Sequence, residues 1–347
     1  MNEAFLLSNH LKLFFTSYLQ GQRGLSKNTI SSYRDTFRLL LNFLSVKNGG
    51  DFLKEFTVFD LDVKTVLSFL NYLEDKEKGR GNRPCSRNLR LAAIHCFFRY
   101  LNLQSEVYAP QAKKILSIPV KRTSSSTIAY LEKEEMELLF RQIDSFKKEG
   151  FRDLALILLM YNTGARADEV AHTKISSLSL EGNLQVRIWG KGDKERICPL
   201  WPSTARLLKT YVGKYRRTPQ KGSEDYLFIN QRGQSLTRFG VWDIVKKYLQ
   251  AAAKKNKRLE EKHLSAHSLR HTTAVHLLES GVELNLIKAW LGHASISTTS
   301  RYLDVDLKKK REVLTKFAPP NYVVSFFDEK DNQSEQDKNI FDLLKSL

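Results

Sequence analysis

The sequence predicts a mainly α-helical chain in two domains, the second carrying a small antiparallel β-sheet, and three observations predict it. At 347 residues the chain exceeds what one hydrophobic core usually organises. Apolar residues recur at spacings of three and four along most of its length, the period of helices that bury one face. Between Leu178 and Leu200 that period gives way to alternation, with Leu184, Val186 and Ile188 on one side of the basic turn Gly190-Lys191-Gly192-Asp193-Lys194 and Ile197, Cys198 and Leu200 on the other. This reads as a β-hairpin with Lys191 at its tip.

The first helical stretch runs from Leu6 to Leu19, and Gly21 with Gly24 interrupts it. Ser26 is an N-cap for a second helix reaching about Lys47, whose apolar face includes Ile30, Tyr33, Phe37, Leu40 and Leu44, and Asn48-Gly49-Gly50 supplies its C-cap. Further helices are expected over Val63–Leu73 and Ser86–Leu103, separated by the polar, basic turn from Lys76 to Pro84. Residues 1–117 therefore read as a bundle of four or five helices with basic loops. Residues 118–129, poor in bulky apolar groups and rich in Ser and Thr, read as an exposed linker.

Beyond the linker, Tyr130 to Glu135 opens a helix, and Arg152 to Tyr161 is apolar enough to be buried. Helices follow over Ser203–Tyr215, Phe239–Lys254, His267–Ser280 and Leu284–Leu291. A tail over 319–347 turns acidic after Ser325, with six Asp and Glu against three Lys. It ends in Ile340-Phe341-Asp342-Leu343-Leu344, an amphipathic stretch too short to be a stable helix alone; docking on its own or a neighbouring chain and plain terminal disorder weigh about equally.

Charge narrows the function class. The chain holds 56 Lys and Arg against 38 Asp and Glu, a net charge of +18, and residues 1–125 contribute 19 of the cations and 10 of the anions, so both parts are basic. A polyanion is the favoured partner, nucleic acid ahead of an anionic membrane. The cysteines, Cys85, Cys96 and Cys198, are odd in number and lack C-x-x-C spacing, which argues against a disulfide framework or a cysteine zinc site. Neither a signal-peptide pattern nor a membrane-length apolar run is present, so a cytoplasmic, DNA-associated protein is expected.

Six residues in the second half form a set able to perform phosphate-ester chemistry: Arg166, Lys191, His267, Arg270, His293 and Tyr302. Two guanidiniums grip phosphate oxygens, a lysine and two imidazoles move protons, and a phenol supplies a nucleophile. Arg166 opens a helix after a buried one, and Glu169 lies one turn on, placed to orient a guanidinium or a histidine. His267 and Arg270 share a helical face at i, i+3. His263, His267 and His271 are spaced by four, which raises a zinc reading, but the glutamate of H-E-x-x-H is missing. Lys194 competes with Lys191 for the lysine role. Singly, each residue would more often be structural; only their order lifts them above that default.

That order resembles the catalytic domain of the tyrosine recombinase (phage integrase) family, whether a mobile-element integrase or transposase or a Xer-like enzyme. Thr-Gly-x-Arg-x-x-Glu stands at 163–169, Lys191 in a hairpin, His-x-Leu-Arg-His at 267–271, Leu-Gly-His at 291–293 and Thr-x-x-Tyr at 299–302. The resemblance covers 130–318, and residues 1–117 are similar in type and placement to the family's core-DNA-binding domain. Ala167-Asp168 stand where the family often has a small hydroxyl residue, which leaves the bonding of Glu169 open.

The resemblance implies that Tyr302 attacks a scissile DNA phosphate to give a 3′-phosphotyrosyl bond and a free 5′-hydroxyl. His267 would serve as base, Arg166 and Arg270 as clamps on the non-bridging oxygens, Lys191 as proton donor to the leaving oxygen, and His293 as a hydrogen-bonding partner of the phosphate or an aid to proton transfer. It implies no cofactor and no metal, a homotetramer on double-stranded DNA, and an accessory DNA-bending or directionality factor. Integration or excision of a mobile element is the favoured role, with Xer-type dimer resolution as the alternative. A type IB topoisomerase and a non-catalytic DNA-binding regulator are further readings.

Overall fold

The computed structural model describes residues 5–48, 55–123, 128–190, 192, 194–292 and 297–300. The chain divides into two compact units, Met1–Ser126 and Thr127–Leu347. In the first, α1 (Leu7–Leu13) continues as π-helical turns to Gln22, and α2 (Lys27–Asn48), α3 (Val63–Glu74), α4 (Pro84–Gln104) and α5 (Ala109–Leu116) follow. Helix α3 starts where Asp62 Oδ1 accepts the Thr65 N–H at 2.7 Å, an N-cap that satisfies one otherwise orphaned donor. Helix α4 starts earlier than its periodicity suggests because Pro84 sits at its first turn, where a missing N–H costs nothing.

Helix α4 is the axis of this unit. Leu91, Ile94, Phe97, Phe98 and Leu101 are all fully buried along it, and the Phe97 ring lies 5.2 Å from both Phe14 and Phe37 in edge-to-face contacts. Quadrupolar aromatic pairs of this geometry add to the burial of their area. The start of the expected linker is tied down: Ile118 packs into the core, Arg87 Nη1 donates to the Pro119 carbonyl, and Asn88 exchanges two hydrogen bonds with the Lys121 backbone. Those partners explain why a stretch poor in apolar groups is held in place up to Lys121.

The second unit contains α6 (Lys133–Phe140), α7 (Lys148–Thr163), α8 (Ala167–Ala171), β1 (Leu178–Ser179), β2 (Gln185–Trp189), β3 (Glu195–Pro199), α9 (Pro202–Thr210, with π-helical turns to Tyr215), α10 (Arg238–Ala253), α11 (Lys257–Glu261), α12 (Ala266–Glu279), α13 (Leu284–Leu291) and α14 (Ser297–Ser300). Tyr130 does not open a helix as expected. The Leu131 N–H instead donates to Thr272 Oγ1, and α6 begins only after Glu132, whose own N–H is held by Glu135 in a capping box. The strands form an antiparallel sheet in the order β1-β2-β3, with Ile188 opposite Arg196 and Val186 opposite Cys198. Helices α7, α10 and α12 supply most of the remaining core, through residues such as Leu156, Met160, Val245 and Leu269. All three cysteines are free thiols.

Replacing Phe97 with alanine should cost about 3–5 kcal/mol of stability, because the cavity opens between rings that cannot collapse into it. Urea unfolding followed by fluorescence checks the value; a change under about 1 kcal/mol would show that the aromatic cluster repacks.

Candidate active site

The site is built around the end of α7. Gly164 caps that helix in the left-handed conformation with φ of 62°, and a side chain there would place Cβ 2.3 Å from Leu291 Cδ2. Glycine is therefore required by both conformation and space. The neighbouring Asn162 fastens the same helix end to two other elements. Its side chain donates to the Pro199 carbonyl and accepts from the Trp201 N–H, and its carbonyl accepts from Trp290 Nε1.

Arg270, near the start of α12, is 1% exposed. Its Nη1 donates to the Gly164 carbonyl at 2.8 Å and its Nη2 to the Leu291 carbonyl at 2.6 Å. These carbonyls belong to the C-terminal ends of α7 and α13, where helix dipoles concentrate negative potential. One guanidinium thus satisfies two helix ends, and its fork geometry makes the double contact possible.

Arg166 caps the short α8. Its backbone N–H donates to Glu169 Oε2 at 2.9 Å and its Nη1 to Oε1 at 2.7 Å, so Glu169 fixes both the chain direction and the guanidinium. The Arg166 side chain remains 38% exposed, whereas that of Glu169 is 5% exposed. Burial works to raise the Glu169 pKa, but bonds and charge from Arg196 and Arg166 outweigh it and hold the carboxyl below the usual range.

Arg196 was absent from the expected set. It lies on the inward face of β3, with Cys198, and its Nη2 reaches Glu169 Oε2 at 2.7 Å with only 9% of the side chain exposed. The signal available in the sequence was an arginine two residues before a buried cysteine in an alternating strand: a cation in an inward position needs a buried anion. The open question of what Glu169 binds is answered by Arg166 and Arg196, not by a hydroxyl or a histidine.

His267 is exposed in the first turn of α12, its N–H on Ser265 Oγ, and its ring lies 4.6 Å from that of His271. The four-residue spacing to His263 does not continue on this helix, because α12 starts at Ala266 and His263 has a left-handed backbone with φ of 46°. Among the described residues, no three His, Cys, Asp or Glu side chains converge as a metal site. Lys191, His293 and Tyr302 lie outside the described residues, as do the tail over 319–347 and most of the expected linker after Arg122 and Thr123. The backbone leading to two of the three is described. Gly190 N–H donates to the Lys194 carbonyl at the base of the hairpin, and Gly292, the left-handed cap of α13, immediately precedes His293.

The phage integrase family matches residues 129–309, and the phage integrase N-terminal SAM-like domain matches residues 14–105. A Sinorhizobium fredii protein named as an integrase/recombinase, y4rC, is 35% identical over 97% of both chains. Tyrosine recombinase XerD of Listeria monocytogenes is 32% identical over 88% of this chain and 97% of its own. Among solved structures, XerH site-specific recombinase bound to a palindromic difH substrate shares the fold with a TM-score of 0.65 at 24% identity, covering 85% of this chain and 82% of that one. The Tn1549 transposon integrase with transposon right-end DNA shares it with a TM-score of 0.67 at 14% identity, over 86% and 94%. The chain belongs to the phage integrase family, the tyrosine recombinases, and is a site-specific recombinase.

Because Glu169 has a depressed folded-state pKa, its ion pairs stabilise the protein above the free glutamate value of ~4.3. That contribution falls away as pH drops through the lower folded value. Glu169→Gln should therefore destabilise the protein most at neutral pH, with the gap to wild type closing below pH ~4.3. Thermal melts across that range check it; a gap independent of pH would show that Glu169 acts through shape alone.

Proposed function

We propose that the chain cuts and rejoins double-stranded DNA through a covalent bond between Tyr302 and a 3′-phosphate. The observation that supports this reading is the construction around Gly164: Arg270 is anchored on its carbonyl, and Arg166, two residues later, is aimed by Glu169. One guanidinium anchored on this turn and a second borne by it suit a phosphodiester whose non-bridging oxygens gain charge in the transition state. Fixed dipoles and charges stabilise that state without reorganising.

The step balances within the chain. The Tyr302 hydroxyl oxygen attacks phosphorus and the P–O5′ bond breaks. The phenol proton passes to His267, and Lys191 gives a proton to the departing 5′-oxygen, while His293 hydrogen-bonds the phosphate. A 5′-hydroxyl from a second strand reverses these transfers and joins new partners, so no external energy source enters. Exchange of two duplexes needs four such sites, hence a homotetramer on DNA, with an accessory DNA-bending or directionality factor setting the outcome. The work takes place in the cytoplasm; among the described residues no helix is long and apolar enough to cross a membrane.

Integration or excision of a mobile element is the role we favour. The y4rC integrase/recombinase matches 97% of this chain, whereas the Xer proteins match 84–88% of it while filling 89–97% of their own lengths. Part of this chain therefore lies outside its match to these Xer proteins.

On a nicked recombination site, wild-type protein should form an adduct that survives denaturant, and Tyr302→Phe should form none; an adduct that persists in the variant would exclude Tyr302 as nucleophile. Arg270→Lys should still bind DNA but cleave about 10²-fold or more slowly, since an ammonium cannot hold two carbonyls and a phosphate in one plane. Its melting temperature should fall as well, because one helix end loses its donor.

A further inference from the structure

Three short segments bearing expected catalytic residues meet at one side chain that is not itself among them. Arg196 Nη2 is bonded to Glu169, which aims Arg166. A Cβ on Gly190, at the base of the hairpin that includes Lys191, would lie 3.6 Å from Arg196 Nη1 and 3.4 Å from Glu169 Oε1. On Gly292, directly before His293, a Cβ would lie 3.2 Å from Arg196 Cδ and 3.3 Å from Nη1. At Gly190 such a Cβ would make an ordinary contact, whereas at Gly292 it would crowd the Arg196 side chain, and Gly292 has a positive φ of 65° besides.

We infer that Arg196 is a positioning residue that keeps the hairpin bearing Lys191 in register with the Glu169–Arg166 turn, an inference that rests on the recombinase reading above. Among the described residues its charge is paired with Glu169, and its own strand anchors it through pairing with Ile188. Strand and carboxylate therefore hold the guanidinium where the Gly190 and Gly292 positions lie beside it. A rounder cation keeps the charge but loses the planar fork that reaches Glu169 from that place. The consequence is a shift of the hairpin relative to Arg166, and displacement of a reacting group by about 1 Å costs on the order of 10²-fold in rate.

The test compares two DNA esters. In one the bridging 5′-oxygen is natural; in the other it is sulfur, which leaves as a thiolate without a donated proton because thiols ionise near pH ~8.5. A sulfur ester therefore removes the need for Lys191 while keeping the need for Tyr302, Arg166 and Arg270. For Arg196→Lys we expect a loss of about 10²-fold in single-turnover cleavage of the oxygen ester, a loss at least about tenfold smaller on the sulfur ester, and unchanged DNA binding in a gel-shift assay. Wild-type rates on the oxygen ester, or equal losses on both esters, would overturn the inference, the second because it marks a merely structural defect. If Arg196→Lys does not melt cooperatively, Gly292→Ala, whose Cβ would press on the same side chain, is held to the same two outcomes. Wild-type protein that forms no adduct with either ester would instead remove the recombinase mechanism, and the inference with it.

Discussion

The architecture of the second unit depends on a buried positive charge shared between two helix ends. Arg270 donates to the carbonyls of Gly164 and Leu291 from a position 1% exposed. An uncompensated buried guanidinium would be costly, so the chain surrounds it with groups of negative potential. The ends of α7 and α13 are thereby drawn to the start of α12. Gly164, in a left-handed cap, permits the approach because a side chain there would strike Leu291. A cation held this way is already desolvated, so little reorganisation is needed when a phosphate arrives.

Around that anchor the charges form a sequence of dependencies. Arg196 and Arg166 both bind Glu169, and the carboxylate's depressed pKa shows that the two cations outweigh its desolvation. Arg166 keeps 38% of its side chain exposed and is the partner suited to meet substrate, while Arg196 is enclosed and suited to hold position. A single acid thus separates two arginines into different tasks by burial alone. Cys198 sits beneath them, its thiol pushed up by burial and bonded to the Trp290 carbonyl, which makes it packing rather than chemistry.

Much of this was legible in the sequence because the period and the caps agree with the packing. Helices α2, α3, α12 and α13 start and stop within about two residues of the positions set by Ser26, the apolar repeats and the flanking polar residues. The hairpin of β2 and β3 followed from alternation about a basic glycine turn. Two features were not legible. The start of α6 depends on Leu131 bonding to Thr272, a contact across 141 residues of chain, and local propensity contains no trace of it. Arg196 is the other, because an arginine beside a basic turn reads as a solvated charge until its inward strand position and its distant partner Glu169 are both known. Similarly, His267 and Arg270 share a helix, but only three-dimensional packing shows that one is exposed and the other enclosed.

The phosphotyrosyl exchange proposed at Tyr302 is tested by isolating the denatured protein–DNA adduct, digesting it with protease and nuclease, and sequencing the linked peptide by mass spectrometry. A single DNA-bearing peptide modified at Tyr302 is expected, joined through a 3′-phosphate and leaving a free 5′-hydroxyl on the other strand end. Attachment at any other residue, or through a 5′-phosphate, would contradict it.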